Sequence, residues 1–427
     1  MRFAFWLMAL FGIATAGALF AGSNNSTVTV FWAPYRVDLS LNLVLLLLLG
    51  AFAVMHLALR AVSATLSLPQ QARRWRLQQK ERAVYTALLD SLSHLVGGRF
   101  IRARKAAELV VTLEESVREG GEALPHAPRL RTITHLLAAE SAHALQDRSV
   151  RDAHFQKALD EAEHRDAQDA RDGVHLRGAR WAFDDRDAAA ALEWLNQLPQ
   201  GAARRTIALR LRFKAARLAG QNQPALETVR LLTKHRAFSE AAGKSIARGL
   251  AIELIRAAHD PAQLQRAWDG LDASEQAMPD VALEAAQRLM LLGGEVAVSR
   301  QWLSPVWDAM TRPGDASSQA QRVGMVRALE QGFAIEGGTT DTLWLGRIEQ
   351  AQMANPRDAM LQYLAGVVCM RLRLWGKAQQ LLKQALSTLQ DASLKRDAWR
   401  ALADMAEQRQ DTPAATEAYR EALKQPV

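Results

Sequence analysis

Two long uncharged stretches open this chain and limit everything that follows them. Phe3 to Ala21 is 19 residues without a charge, and Leu39 to Leu59 another 21, broken only by Ser40, Asn42 and His56. At 1.5 Å rise per residue each makes a helix of roughly 30 Å, the thickness of a bilayer's hydrocarbon core. Both are therefore expected as transmembrane helices, about 3–21 and 39–59, with an outer loop at 22–38 and an anchor closing at residue 65. Arg2, the apolar run and the small residues from Gly17 to Gly22 also fit a signal peptide. A second span follows closely and the remaining chain holds only one cysteine, Cys369, so a retained hairpin is the expectation, with cleavage of the first span left open.

Basic residues flanking spans set orientation. The loop holds Arg36 and Asp38, whereas Arg60, Arg73, Arg74, Arg76, Lys80 and Arg82 follow the second span against Glu81 alone. Both termini are thus expected on the cytoplasmic side. The segment 66–85 reads as a basic juxtamembrane linker, with Arg73, Arg74, Arg76, Lys80 and Arg82 facing anionic lipid. In the loop "STVTVFWAPYRVDLSL", Val28, Val30 and Trp32 alternate with Thr27, Thr29 and Phe31, a short extended pattern closed by Ala33-Pro34. Phe31, Trp32 and Tyr35 are the amphipathic rings expected at a headgroup boundary; lateral contact with another membrane protein is the alternative. Ala14, Ala18 and Gly22 recur every fourth residue, a spacing that would let the first span pack closely on the second.

Beyond residue 80 apolar residues recur at helical spacing, in stretches separated by short turns such as "LAGQNQP", "FDDRD", "LLGGE" and "RQDTP". Gly366, Ala378 and Ala385, and then Ala403, Ala415 and Ala422, repeat one pattern of small residues suited to antiparallel helix pairs. Ala179 and Ala191 keep part of it. These units resemble tetratricopeptide repeats. The expected fold is all-α: an N-terminal two-helix transmembrane hairpin, then a tetratricopeptide-like α-solenoid over 86–427, clearest at 355–388 and 396–427. Such arrays expose a concave face whose usual task is to hold another protein.

The hairpin, the loop, the basic "RRWRLQQKER", the "GGRFIRARKAAE" segment and the helical repeats together resemble the proteobacterial HemY family, most specifically over residues 26 to 110. The resemblance implies a two-pass protein of the cell inner membrane, tied to a late stage of protoheme biosynthesis. Late haem-pathway enzymes are then the expected partners. In other bacteria the same label is used for a flavin-dependent protoporphyrinogen oxidase, which needs a dinucleotide-binding glycine-rich turn. No G-x-G-x-x-G occurs in this chain, nor G-x-x-x-x-G-K-[ST], H-E-x-x-H or G-x-S-x-G.

No catalytic residue, metal site or cofactor is therefore expected. The single cysteine excludes an internal disulfide and a zinc site of several thiolates. His126, His135, His143, His154, His164 and His175 crowd one region without an i,i+4 pair, and read as solvent-facing or capping, with a porphyrin or metal contact as the alternative. Cys369, Trp375 and Trp399 read as core, and Asp184, Asp185 and Asp187 as solvated or capping. The formal charge of +8 sits partly beside the membrane and points to lipid more than nucleic acid. With the register set by Gly366 and Ala403, the partner groove is expected at Tyr363, Val367, Met370, Arg400 and Asp404. A membrane scaffold for haem-pathway proteins is the leading reading, and an adaptor for envelope assembly or membrane-protein quality control the alternative.

Overall fold

Alanine, leucine and arginine, all strong helix formers, dominate the chain, and the computed structural model is helical through most of its length. It describes residues 2–24, 26–312, 314, 317–334 and 340–426, with the side chains of all these except 2–4, 64–71, 74, 334, 340 and 341. Two compact units are present, Met1–Ala170 and Arg171–Val427.

The first unit runs α1 (Arg2–Ser23), β1 (Thr27–Trp32), β2 (Tyr35–Ser40), α2 (Leu41–Val96), α3 (Phe100–Glu119), α4 (Ala127–Ala144) and α5 (Arg148–Ala162). Phe5–Ser23 in α1 and Leu41–Ser63 in α2 are long and apolar enough to cross a membrane. Ser40 caps α2 by accepting from Leu43 N at 3.3 Å, and Asn42 Nδ2 donates to Ala21 O at 2.8 Å, which ties the two helix ends together. The expected packing along Ala14, Ala18 and Gly22 does not form. Ala14, Ala18 and Gly22 are all exposed, and a Cβ added at Gly22 would meet nothing within 4 Å, so along this stripe α1 and α2 are not in contact.

The loop between the spans is an antiparallel hairpin in which Val28 faces Leu39, Val30 faces Val37 and Trp32 faces Tyr35. Because successive side chains alternate sides, these six form one apolar face. Phe31 lies on the other, with the Arg36 guanidinium 5.5 Å from its ring centre. Phe31 thus lies on the opposite face of the hairpin from Trp32 and Tyr35, and all three rings are exposed beside its turn.

The basic stretch 66–85 is not a separate linker, because α2 continues through it as one helix. Arg73 lies about 15 Å along the helix beyond Ser63, and Lys80 about 25 Å. Lys80 Nζ, on an exposed side chain, donates to Ser116 O of α3 at 3.1 Å. Arg73, Arg76 and Lys80 line a cleft with Val117 and Glu122, while Arg82 is exposed and the Arg74 side chain lies outside the described residues. Beyond them Val84, Ala87, Val110, Val117, Leu124 and Leu130 close a small core between α2, α3 and α4.

From α6 (Gln168–Asp184) onward the chain continues as α7 (Ala188–Asn196), α8 (Gln200–Ala203), α9 (Thr206–Leu218), α10 (Asn222–Lys234), α11 (Glu240–Arg256), α12 (Pro261–Asp269), α13 (Ala273–Gln276) and α14 (Pro279–Leu291). It ends with α15 (Val296–Met310), α16 (Gln319–Ala334), α17 (Thr340–Ala354), α18 (Ala359–Arg371), α19 (Trp375–Thr388), α20 (Ala392–Gln408) and α21 (Thr412–Lys424). One turn recurs. Gln146, Arg186, Gly220, Gly293, Arg373 and Gln410 all adopt φ between 60° and 73°, and the N–H of the next residue donates to a carbonyl five residues back at 2.8–2.9 Å. At Asp147, Asp187 and Asp411 the same next residue also caps the following helix, accepting from Val150, Ala190 and Ala414 N at 3.2, 2.9 and 3.2 Å. A stop and a start held in three residues turn the chain back on itself, which is what makes antiparallel pairs.

Small residues then set how closely a pair packs. Ala378, Ala385, Ala403, Ala415 and Ala422 are all buried. A Cβ added at Gly366 would stand 2.8 Å from Leu382 Cγ, so α18 and α19 touch at backbone distance. The fold class is all-α as the sequence implied, with two apolar N-terminal helices followed by tetratricopeptide-like helix pairs.

Candidate functional site

The residues expected to form the groove are not together on a surface. Tyr363 and Val367 are 0 % and 2 % exposed, because α18 is buried on every side from Leu361 to Cys369. Met370 is half-buried, and Arg400 and Asp404 are exposed. Tyr363 serves a partly buried polar network: its OH donates to Glu330 Oε1 at 2.9 Å, and Arg327 pairs with Glu330 Oε2 at 3.3 Å and with Asp397, and donates to Ser393 Oγ at 3.0 Å. Burial raises the Glu330 carboxyl above its usual range and raises the Tyr363 phenol as well. The network joins α16, α18 and α20. Arg400 reaches Asp397 at 3.7 Å, and Asp404 accepts from the Tyr419 OH at 3.0 Å. The face of α18 that a bare repeat would leave open is covered by α16 and α20.

An open face occurs instead at the start of the second unit. A cleft of about 750 Å³ runs between α6 and α9. Its floor is apolar, from Leu176 and Phe183 on α6 and Ile207 and Leu211 on α9, and Ile207 is 64 % exposed. Basic side chains edge it at one-turn spacing, Arg177 and Arg180 on one helix and Arg210 and Lys214 on the other, against a single lining carboxylate, Asp184. Arg180 Nε pairs with that carboxylate at 3.3 Å, and Arg210 Nη2 donates to Ala237 O at 3.1 Å. The helices are held rigidly beneath by Ala179, Leu195, Ala202 and Ala208, all buried. The sequence signal lay in "HLRGARWAF" and "TIALRLRFK", where bases alternate with apolar residues at helical spacing. Long basic side chains can lay their stems on such a floor while keeping their charges in water.

The histidines are less scattered than the sequence suggested. His135 on α4 and His154 on α5 approach Nδ1 to Nδ1 at 3.1 Å, and His135 is 5 % exposed. Burial, reinforced by His154 and Lys157, pushes the His135 imidazole down to about 4, and burial also lowers His154. Each stands four residues before a buried alanine, Ala139 and Ala158, the inward stripe that spacing along the sequence alone would have shown. His175 is buried against Trp194, with ring centres 5.8 Å apart, while His164 is exposed. Among the described residues no group of three or more His, Cys, Asp or Glu is placed to hold a metal ion. Cys369 is a buried thiol, raised by that burial.

Residues 26–146 match a family model described as HemY protein N-terminus, a stretch that takes in the hairpin, α2, α3 and α4. No curated protein matches the chain. Among solved structures it is similar to the crystal structure of the APC/C hetero-tetramer Cut9-Hcn1 at a TM-score of 0.27 and 12 % identity, covering 80 % of this chain and 66 % of that one. The TPR domain of P58(IPK) gives 0.23 and 13 %, covering 77 % and 99 %, and Naa15/Naa10 bound to HypK-THB gives 0.23 and 11 %, covering 77 % and 57 %. Likeness at this level carries nothing about activity or partners.

Proposed function

We propose, from a chain that carries a HemY protein N-terminus over residues 26–146, that it is a membrane-anchored, non-enzymatic scaffold serving a late step of protoheme IX biosynthesis. The two apolar helices hold it in the inner membrane, and the bases after the second span keep both termini and the helix pairs on the cytoplasmic side. The partners are proteins, the late haem-pathway enzymes, and no cofactor is needed for the task. The observation that carries the reading is the α6–α9 cleft, where exposed Ile207 sits among four bases on a rigid helical frame. Few residues dominate a typical protein interface, and arginine is among the types enriched in them.

The test is purification of the tagged full chain in mild detergent from its own membranes, with quantitative proteomics and a porphyrinogen oxidation assay on the product. Late haem-pathway enzymes should be enriched over an unrelated two-span protein, and the isolated chain should not accelerate oxidation. Turnover by the chain alone, or no enrichment, would remove the proposal.

A further inference from the structure

We infer that the cleft between α6 and α9 seats an acidic amphipathic helix of a partner protein. Its apolar side lies on Phe183 and Ile207, and its carboxylates lie against Arg177, Arg210 and Lys214. This rests on the scaffold reading and adds the chemistry of what is held.

Three features select a helix over other anionic occupants. The lining residues of α6 extend from Gly173 to Asp184, about 16 Å of helix axis, which is three turns of a partner lying alongside. The bases come as two pairs, one on each helix, Arg177 and Arg180 spaced i,i+3, and Arg210 and Lys214 spaced i,i+4, and they share the lining with apolar Leu176, Phe183, Ile207 and Leu211. A ligand that meets both pairs and the apolar lining needs apolar groups on one stripe and acids a turn apart on either side, which is the pattern of a helix laid in a groove. Charge also selects the source. With Arg180 paired to the one lining carboxylate, Asp184, the lining keeps an excess of bases that favours an acidic segment, and a second copy of this chain, with a formal charge of +8, is a poor supplier of one.

The experiment uses the full chain in nanodiscs and a fluorescein-labelled helical peptide of about four turns, leucine on one stripe and glutamate flanking it. Fluorescence anisotropy should show saturable binding that weakens as salt is raised. Arg177→Glu with Arg210→Glu should weaken binding by about tenfold or more, and Ile207→Asp, at a site 64 % exposed, should do so independently with helical circular dichroism unchanged. A peptide with lysine in place of glutamate, or with a central proline, should fail to bind. Equal binding by the proline-broken peptide, full competition by anionic lipid vesicles, or binding unaffected by all three substitutions would each overturn the inference. Should the peptide fail while haem-pathway enzymes are still captured by the full chain, the helix assignment falls and the scaffold reading stands.

Discussion

The Tyr363 hydroxyl donates to Glu330 Oε1 at 2.9 Å from a side chain that is itself fully buried. That bond serves Glu330 Oε1, while Arg327 holds Oε2, and it ties α18 to α16 across thirty-three residues of chain. Tyr363→Phe keeps the ring and removes the donor, so it should cost about 1–3 kcal/mol of unfolding free energy. Tyr363→Ala should cost more, about 3–5 kcal/mol, since it also opens a cavity. Denaturant unfolding of the full chain in detergent micelles checks both; a Tyr363→Phe variant as stable as the parent would show that the network contributes nothing.

Gly366 faces Leu382 across the α18–α19 contact, where an added Cβ would stand 2.8 Å from Leu382 Cγ and 3.3 Å from its backbone N. Backbone cannot move aside as a side-chain tip can. Gly366→Ala should therefore destabilise by about 1–3 kcal/mol despite the better helix propensity of alanine. Thermal unfolding followed by circular dichroism measures it, and a raised midpoint would mean that the helices separate freely.

These two neighbours on α18 divide what the sequence made legible from what it did not. Gly366 was recognisable because close helix packing demands a small residue at a fixed spacing, and the matching Ala403 and Ala378 are buried as that spacing implied. Tyr363 was misplaced because helical periodicity gives the faces of a helix but not which neighbours cover them; α16 and α20 bury the face that a bare repeat would leave open. The span lengths were likewise readable from hydropathy, whereas the separation of Phe31 from Trp32 and Tyr35 depends on strand register. The α6–α9 cleft needed both helices in place before its bases could be seen as two pairs.

The His135–His154 contact makes acid stability testable. The folded value of His135 is pushed from 6.5 to about 4, chiefly by burial. A depressed folded value means that the neutral ring contributes stability above 6.5, and that this is lost as pH falls toward about 4. The thermal midpoint should fall through that window, and His135→Phe should flatten the slope by removing the titrating group. An unchanged slope in the variant would place the acid sensitivity elsewhere.

The proposed function puts the C-terminus on the cytoplasmic side, from the bases that follow Leu41–Ser63. A phosphatase fused to the C-terminus, active only outside the cytoplasm, should stay silent, while the same enzyme inserted between Ala33 and Pro34 should be active. The reverse pattern would put the helix pairs on the wrong side for cytoplasmic partners.

Scaffolding through the α6–α9 cleft is tested most directly by a photo-crosslinking amino acid placed at position 207 in living cells, with a second at exposed Leu291, 77 % accessible, as the control. The expected result is a protein adduct from position 207 that mass spectrometry assigns to a late haem-pathway enzyme, lost when Arg177→Glu and Arg210→Glu are added and missing from position 291. No protein adduct at position 207, or the same adducts from both positions, would contradict it.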